Sequence, residues 1–206
     1  AARLEVRERE SGQGSPVVRK ALAKAYQTRG QFAKAAAQFK SAIELQPEDS
    51  ESTDQLIACY DQLGDAEGAI AATLQAVDLS RRNLMLYKKL GERLQGLQRQ
   101  HDAERAFTSI VEVQPNEMES HSLLAQIRQS QSRLDEAAAH WAQAAKLRAL
   151  EPEALIELAK VQLALKQFDK ADVTITKLEK TSWPARFDAQ RQSIHQLRAQ
   201  WKTQKP

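Results

Sequence analysis

The sequence predicts an all-α protein, an α-solenoid of five helix-turn-helix repeats closed by a C-terminal capping helix. Three observations carry that prediction. Ala, Leu, Gln, Glu, Lys and Arg, the strong helix formers, dominate the 206 residues, whereas aromatics make up 5% and Gly and Pro number only 7 and 6, too few for a β-sandwich or barrel. At a step of 34 residues, leucine recurs at Leu22, Leu56, Leu90, Leu124 and Leu158, and alanine at Ala35, Ala69, Ala103, Ala137 and Ala171. Within each step the apolar residues return at helical spacing twice, with a break between the two runs.

In the first unit, Ser15 is a fitting N-cap and Pro16 suits the first helical turn. Leu22, Ala23 and Tyr26 form one face before Gly30 ends the helix. A second helix carries its apolar stripe on Phe32, Ala35, Phe39, Ala42, Ile43 and Leu45, and Pro47 stops it. Other columns keep residue size at the same period: small at Ala23, Ile57, Gly91, Ala125 and Ala159, bulky at Phe39, Thr73, Phe107, Trp141 and Ile175, and aliphatic at Leu45, Leu79, Val113 and Leu147, with Thr181 closing the series. An alanine at each crossing lets helix axes approach to about 8–10 Å, while the bulky column fills the space toward the next unit. The expected units are 16–49, 50–83, 84–117, 118–151 and 152–183, after a charged lead-in or linker over 1–15.

Past the fifth unit, Trp183-Pro184 restarts the chain, and Phe187, Ile194, Leu197 and Trp201 share one face of a helix within 184–206 whose back is strongly polar. Two roles are open to it. It is either a solubilising cap or a docking element for an anionic partner, through the exposed charges Arg191, Arg198 and Lys202.

These residues carry a family resemblance. The stretch from Ala21 to Pro47 closely resembles a tetratricopeptide repeat, matching its motif at Leu22, Ala23, Tyr26, Gly30, Phe32, Ala35, Phe39, Ala42 and Pro47. The second unit keeps Leu56, Tyr60, Gly64, Ala69 and Ala76, and the third keeps Leu90, Gly91, Ala103, Phe107 and Pro115. The fourth retains Leu124, Ala125, Ala137, Trp141 and Ala144, and the fifth Leu158, Ala159, Phe168 and Ala171. These last two place Arg128 and Gln162 at the tyrosine position, and Ser132 and Lys166 at the turn glycine. The resemblance implies a right-handed solenoid whose first helices line a concave face, and a role in protein–protein interaction without catalysis.

Composition narrows the function classes. Thirty basic against 27 acidic residues leave a net charge of +3, which conflicts with helical-repeat RNA binding, so no nucleic-acid partner is expected. No run reaches the roughly 18 apolar residues of a spanning helix. The single cysteine, Cys59, has no partner for a disulfide or a CxxC site and reads as core filler beside Tyr60. His101, His121, His140 and His195 form no HExxH and no i, i+4 pair, so neither a metal, a cofactor nor a catalytic base is indicated. Gly12-Gln13-Gly14-Ser15 lacks the Gly-Lys-Ser/Thr of a phosphate loop and reads as a flexible linker.

What remains is a surface for a protein or peptide. The residues opposite the Leu/Ala/Tyr stripe include Lys20, Lys24, Asp54, Lys88, Glu92, Gln126 and Lys160, which are the candidate groove residues, together with Met85, Ile156 and Leu163. Lys20, Asp54 and Lys88 alternate in sign from unit to unit, so neighbouring helices are expected to neutralise part of the wall internally. The family's carboxylate clamp for chaperone tails calls for Lys and Asn, then Asn, then Lys and Arg, where this chain has Lys20, Lys24, Gln55, Met85 and Lys89. Only Lys20 matches outright, and Met85 supplies no cation. A segment of mixed polarity therefore suits the wall better than an acidic tail. The chain begins at Ala1 and not at Met, which motivates an alternative function: the scaffold segment of a larger enzyme, sensor or envelope machine whose chemistry lies outside this chain.

Overall fold

The structure is a computed structural model that describes residues 15–205; the lead-in up to residue 14, including Gly12-Gln13-Gly14, lies outside the described residues, as does residue 206. The described residues form eleven α-helices and no strand. They are α1 (Pro16–Gln27), α2 (Phe32–Leu45), α3 (Ser50–Leu63), α4 (Ala66–Leu79), α5 (Leu84–Gly96), α6 (Gln100–Val113), α7 (Met118–Ser130), α8 (Leu134–Leu147), α9 (Glu153–Ala164), α10 (Phe168–Lys180) and α11 (Asp188–Gln204). A 3-10 turn, Ala185–Phe187, leads into α11. The even-numbered helices from α2 to α10 start at Phe32, Ala66, Gln100, Leu134 and Phe168, always 34 residues apart.

The turn inside each helix pair repeats as closely as the helices do. One residue in each is left-handed, with φ between 57° and 69°: Gly30, Gly64, Gln98, Ser132 and Lys166. The following N–H reaches back five residues, from Gln31 to the Tyr26 carbonyl, Asp65 to Tyr60, Arg99 to Leu94, Arg133 to Arg128 and Gln167 to Gln162, at 2.8–3.0 Å. This is a Schellman closure, and its acceptor is the backbone of the tyrosine column. The turn therefore survives in the fourth and fifth units, where sequence marks neither the glycine nor the tyrosine.

N-capping is strongest early in the chain. The Asp49 carboxylate accepts from the Ser52 N–H at 3.2 Å, Asp65 from the Gly68 N–H at 2.9 Å, and Asn83 from the Met85 N–H at 3.2 Å. Ser15 stands at the expected N-cap before Pro16, but its hydroxyl makes no capping bond, and its carbonyl accepts from the Arg19 N–H instead.

The described residues fall into two compact units that divide between Ala106 and Phe107, within α6. In the first, Leu22, Ala23, Ala35, Phe39, Leu56 and Ile57 share one core. Thr73 holds the bulky position of α4 fully buried, with its hydroxyl donating to the Ala69 carbonyl at 2.7 Å. In the second unit, Trp141 fills that position, and its indole N–H donates to Gln129 Oε1 at 2.7 Å. The tyrosine column turns polar here, yet stays buried and finds partners on the paired helix. The Arg128 guanidinium lies 3.3 Å from Glu136, and Gln162 accepts from the Thr174 hydroxyl at 2.8 Å. The alanine column is buried in all five positions. The aliphatic column does not follow, because Leu45 and Leu79 stand at the last turn of their helices and are 45% and 46% exposed.

α11 packs on both α9 and α10. Phe187, Ile194 and Leu197 are buried in the core that also takes Ile156 and Leu163, so these last two do not belong to an open wall as the sequence register suggested. Burial of each such side chain stabilises by about 1.5–3 kcal/mol. The Trp201 indole donates to the Phe168 carbonyl at 2.9 Å, and the Trp183 indole to the Leu178 carbonyl at 2.8 Å. Arg198 is not the exposed charge expected from the sequence. Its guanidinium bonds Asp172, Glu179 at 2.7 Å and the Thr176 hydroxyl at 2.9 Å, all on α10, and lies over the Trp201 ring. Those carboxylates hold Arg198 further toward its charged form against the cost of burial, and Arg198 in turn lowers the Glu179 pKa.

Two outcomes follow for urea unfolding. Lys166→Gly relieves a left-handed residue with a Cβ and is expected to stabilise by about 0.5–1 kcal/mol, whereas Gly30→Ala destabilises by a similar amount. Arg198→Ala is expected to cost about 1–3 kcal/mol, since it strands two carboxylates that it serves, against less than about 0.5 kcal/mol for exposed Lys202→Ala.

Candidate functional site

In the first unit, polar side chains of α1, α3 and α5 bond one another across the first helices of successive pairs. Lys20 lies 2.6 Å from Asp49 and 3.1 Å from Glu51, and Lys24 lies 2.7 Å from the other Glu51 oxygen. Gln27 donates to Gln55 Oε1 at 3.0 Å and to the Cys59 sulfur at 3.3 Å. Farther on, Lys89 stands 3.8 Å from Asp54, and the Arg93 guanidinium grips both oxygens of Asp61, one of them at 2.8 Å. The wall thus neutralises itself, as its alternating charge predicts, but with different pairings: Lys20 is taken by the N-cap Asp49, Asp54 by Lys89, and Lys88 by Glu92 of its own helix at 3.7 Å.

The electrostatics agree with that pairing. Hydrogen bonds that Lys20 donates to Asp49 and then to Glu51 raise its pKa. Partial burial pushes the Asp49 carboxyl up, but Lys20 and Ser52 together pull it below its ordinary value. Lys24 and Lys20 lower Glu51, and Arg93 lowers Asp61. Burial pushes the Cys59 thiol up, away from the thiolate a nucleophile would need, which fits a core residue.

Between the loosest of these pairs and the helix ends lies a cleft of about 370 Å³, lined by Thr53, Asp54, Leu79, Met85, Leu86 and Lys89. Leu79 and Met85 are about half exposed in it. A second cleft of about 270 Å³ opens beside Tyr60, Asp61, Arg93 and Leu97. Sequence reasoning placed Met85 on the wall and noted it as a missing clamp cation; what it missed is that the apolar surface of Met85 shares a cleft with exposed Leu79 from α4. The signal was available in the aliphatic column, whose Leu79 lies four residues before Asn83, the N-cap of α5.

The remaining candidates belong to the second unit. Gln126 is exposed on α7, and Lys160 on α9 pairs with Glu157 of its own helix at 2.7 Å. At the C-terminal helix, Arg191 pairs with Asp188 at 3.0 Å and Lys202 is exposed, while Arg198 is bound to α10. The docking reading of that helix therefore loses one of its three charges. His121 and His140, which show no metal or catalytic spacing in sequence, are brought together by the α7–α8 pair, with their Nδ1 atoms 3.3 Å apart. Among the described residues, no helix is long and apolar enough to cross a membrane, and no three or more His, Cys, Asp or Glu side chains converge as a metal site.

Comparison with known proteins agrees with this geometry. The tetratricopeptide repeat family model matches residues 20–83 and 123–171, more than half of the chain. Among solved structures, YrrB, described as a tetratricopeptide repeat protein with an unusual peptide-binding site, is 15% identical, with 95% of this chain and 97% of that one covered and a TM-score of 0.52. A crystal structure of MamA is 17% identical, with 79% and 88% covered and a TM-score of 0.50. At such identities the likeness shows the fold alone, an α-solenoid of helical repeats. The comparison with curated proteins gives no match.

Proposed function

Because the chain belongs to the tetratricopeptide repeat family, whose members generally mediate protein–protein interactions, we propose that it is a non-catalytic scaffold that binds a peptide or protein segment along the α1, α3 and α5 wall. The observation that carries this is the pairing of the wall's charges around a cleft of mixed polarity in which Leu79 and Met85 are half exposed. Lys20 and Lys24 are already held by Asp49 and Glu51, so the wall offers no free cluster of cations to a terminal carboxylate or acidic tail. It offers instead alternating donors and acceptors beside Met85 and Leu79, which suits a segment of mixed polarity with one large apolar side chain. The peptide-binding site described for YrrB is consistent with that use of the fold. Lys20, Lys24, Asp54, Lys88 and Glu92 are the proposed contacts in the first unit, and Gln126 and Lys160 offer polar contacts on the second.

A peptide selected against the chain by display, with its affinity measured by calorimetry, tests this. Met85→Asp places an acid in the first turn of α5, where the helix tolerates it, and is expected to weaken binding at least tenfold. Lys202→Glu on α11 should leave the affinity unchanged. If Met85→Asp folds and binds as the wild type does, or Lys202→Glu abolishes binding, the wall is not the site.

A further inference from the structure

The His121–His140 contact has a fixed hydrogen-bond order. His121 Nε2 lies 3.0 Å from the Pro115 carbonyl, which can only accept, so Nε2 carries a proton. The Nδ1 of neutral His121 is then an acceptor, and His140 must supply the proton between the two Nδ1 atoms. Ring centroids 5.5 Å apart with the nitrogens 3.3 Å apart mean that the two face each other nearly head-on. A relay thus runs from α8 through His121 on α7 to the turn at Pro115. One added proton leaves a donor and an acceptor facing each other. A second puts N–H against N–H, and two positive rings beside each other.

We propose that this pair is an acid-sensitive latch between α7 and α8, closed at neutral pH and weakened as the second proton is forced on. The surroundings favour that sense. Facing His140 from α7 are His121 and the buried guanidinium of Arg128, and from its own helix comes Glu136, which Arg128 and Arg133 already engage. From α9, which also packs on α8, no described charged group acts on His140. Burial first, then His121 and Arg128, lower the His140 pKa, and Glu136 opposes them only in part. The unfolded chain therefore binds more protons than the native one as pH falls through about 6.5, so stability is full above that value and is lost below it.

Hydrogen exchange of the α7 and α8 amides at pH 7.5 and 5.5, corrected for intrinsic rates, tests the latch. For a ring kept neutral in the native state, one pH unit below the unfolded value shifts the opening equilibrium by up to about tenfold. Protection in α7 and α8 should fall by several-fold up to that limit, with α10 unaffected. In His140→Gln, whose amide still donates but does not titrate, the pH-dependent fall should disappear. His101→Gln, at a histidine 94% exposed, should retain it. Imidazole nitrogen shifts of the wild type supply a reading that needs no variant, and should place the neutral His121 proton on Nε2. A wild type with equal protection at both pH values, or a His140 ring that titrates at its ordinary value of 6.5, would overturn the proposal.

Discussion

An alanine that returns every 34 residues sets the terms for the rest of this chain. Ala35, Ala69, Ala103, Ala137 and Ala171 are all at most 2% exposed, each in the first turn or two of the second helix of its pair. A methyl group there lets the paired helix close to about 8–10 Å, and only at that distance can Leu22, Leu56, Leu90, Leu124 and Leu158 be buried as a column. The turn before each alanine is correspondingly tight. Its left-handed residue stands five positions upstream of the alanine in every unit, from Gly30 to Lys166, and the chain accepts a Cβ there three times without changing the closure.

With helix spacing set, neighbouring first helices come within reach of each other's long side chains, and the polar wall organises itself. Lys20, Lys24, Lys89 and Arg93 each meet a carboxylate of α3 or its N-cap. Exposed pairs of this kind add little to stability; what they do is remove free charge from the surface, and under the proposed function shape, hydrogen bonding and the Leu79–Met85 cleft would then select the partner. The C-terminal helix uses charge in the opposite way. Arg198 is half-buried among acceptors of α10, where it fastens the cap.

The repeat period, the leucine, alanine, small and bulky columns and the capping helix were legible in the sequence because each rests on residue size recurring at a fixed spacing, whereas the aliphatic column was not core. The turns of the later units were not, since Gln98, Ser132 and Lys166 do not announce a left-handed backbone; their geometry comes from a backbone carbonyl and is indifferent to the side chain. For the wall, the self-neutralising character could be read but the partners could not. Asp49 precedes its helix and lies off the face that helical spacing counts, and it still captures Lys20. Only a contact between columns reveals the histidine pair: positions 121 and 140 are the repeat equivalents of 19 and 38, and Arg19 bonds Gln38 at 3.3 Å in the first unit.

The most direct test of the central claim is the unfolding free energy, by urea titration, of variants that enlarge the alanine column. Ala35→Leu, Ala69→Leu, Ala137→Leu and Ala171→Leu should each cost about 1–3 kcal/mol by overpacking a crossing. Leucine at exposed Lys170 should stay within about 0.5 kcal/mol. If the alanine variants are as stable as the Lys170 variant, the crossings are not set by this column, and the account of the fold fails.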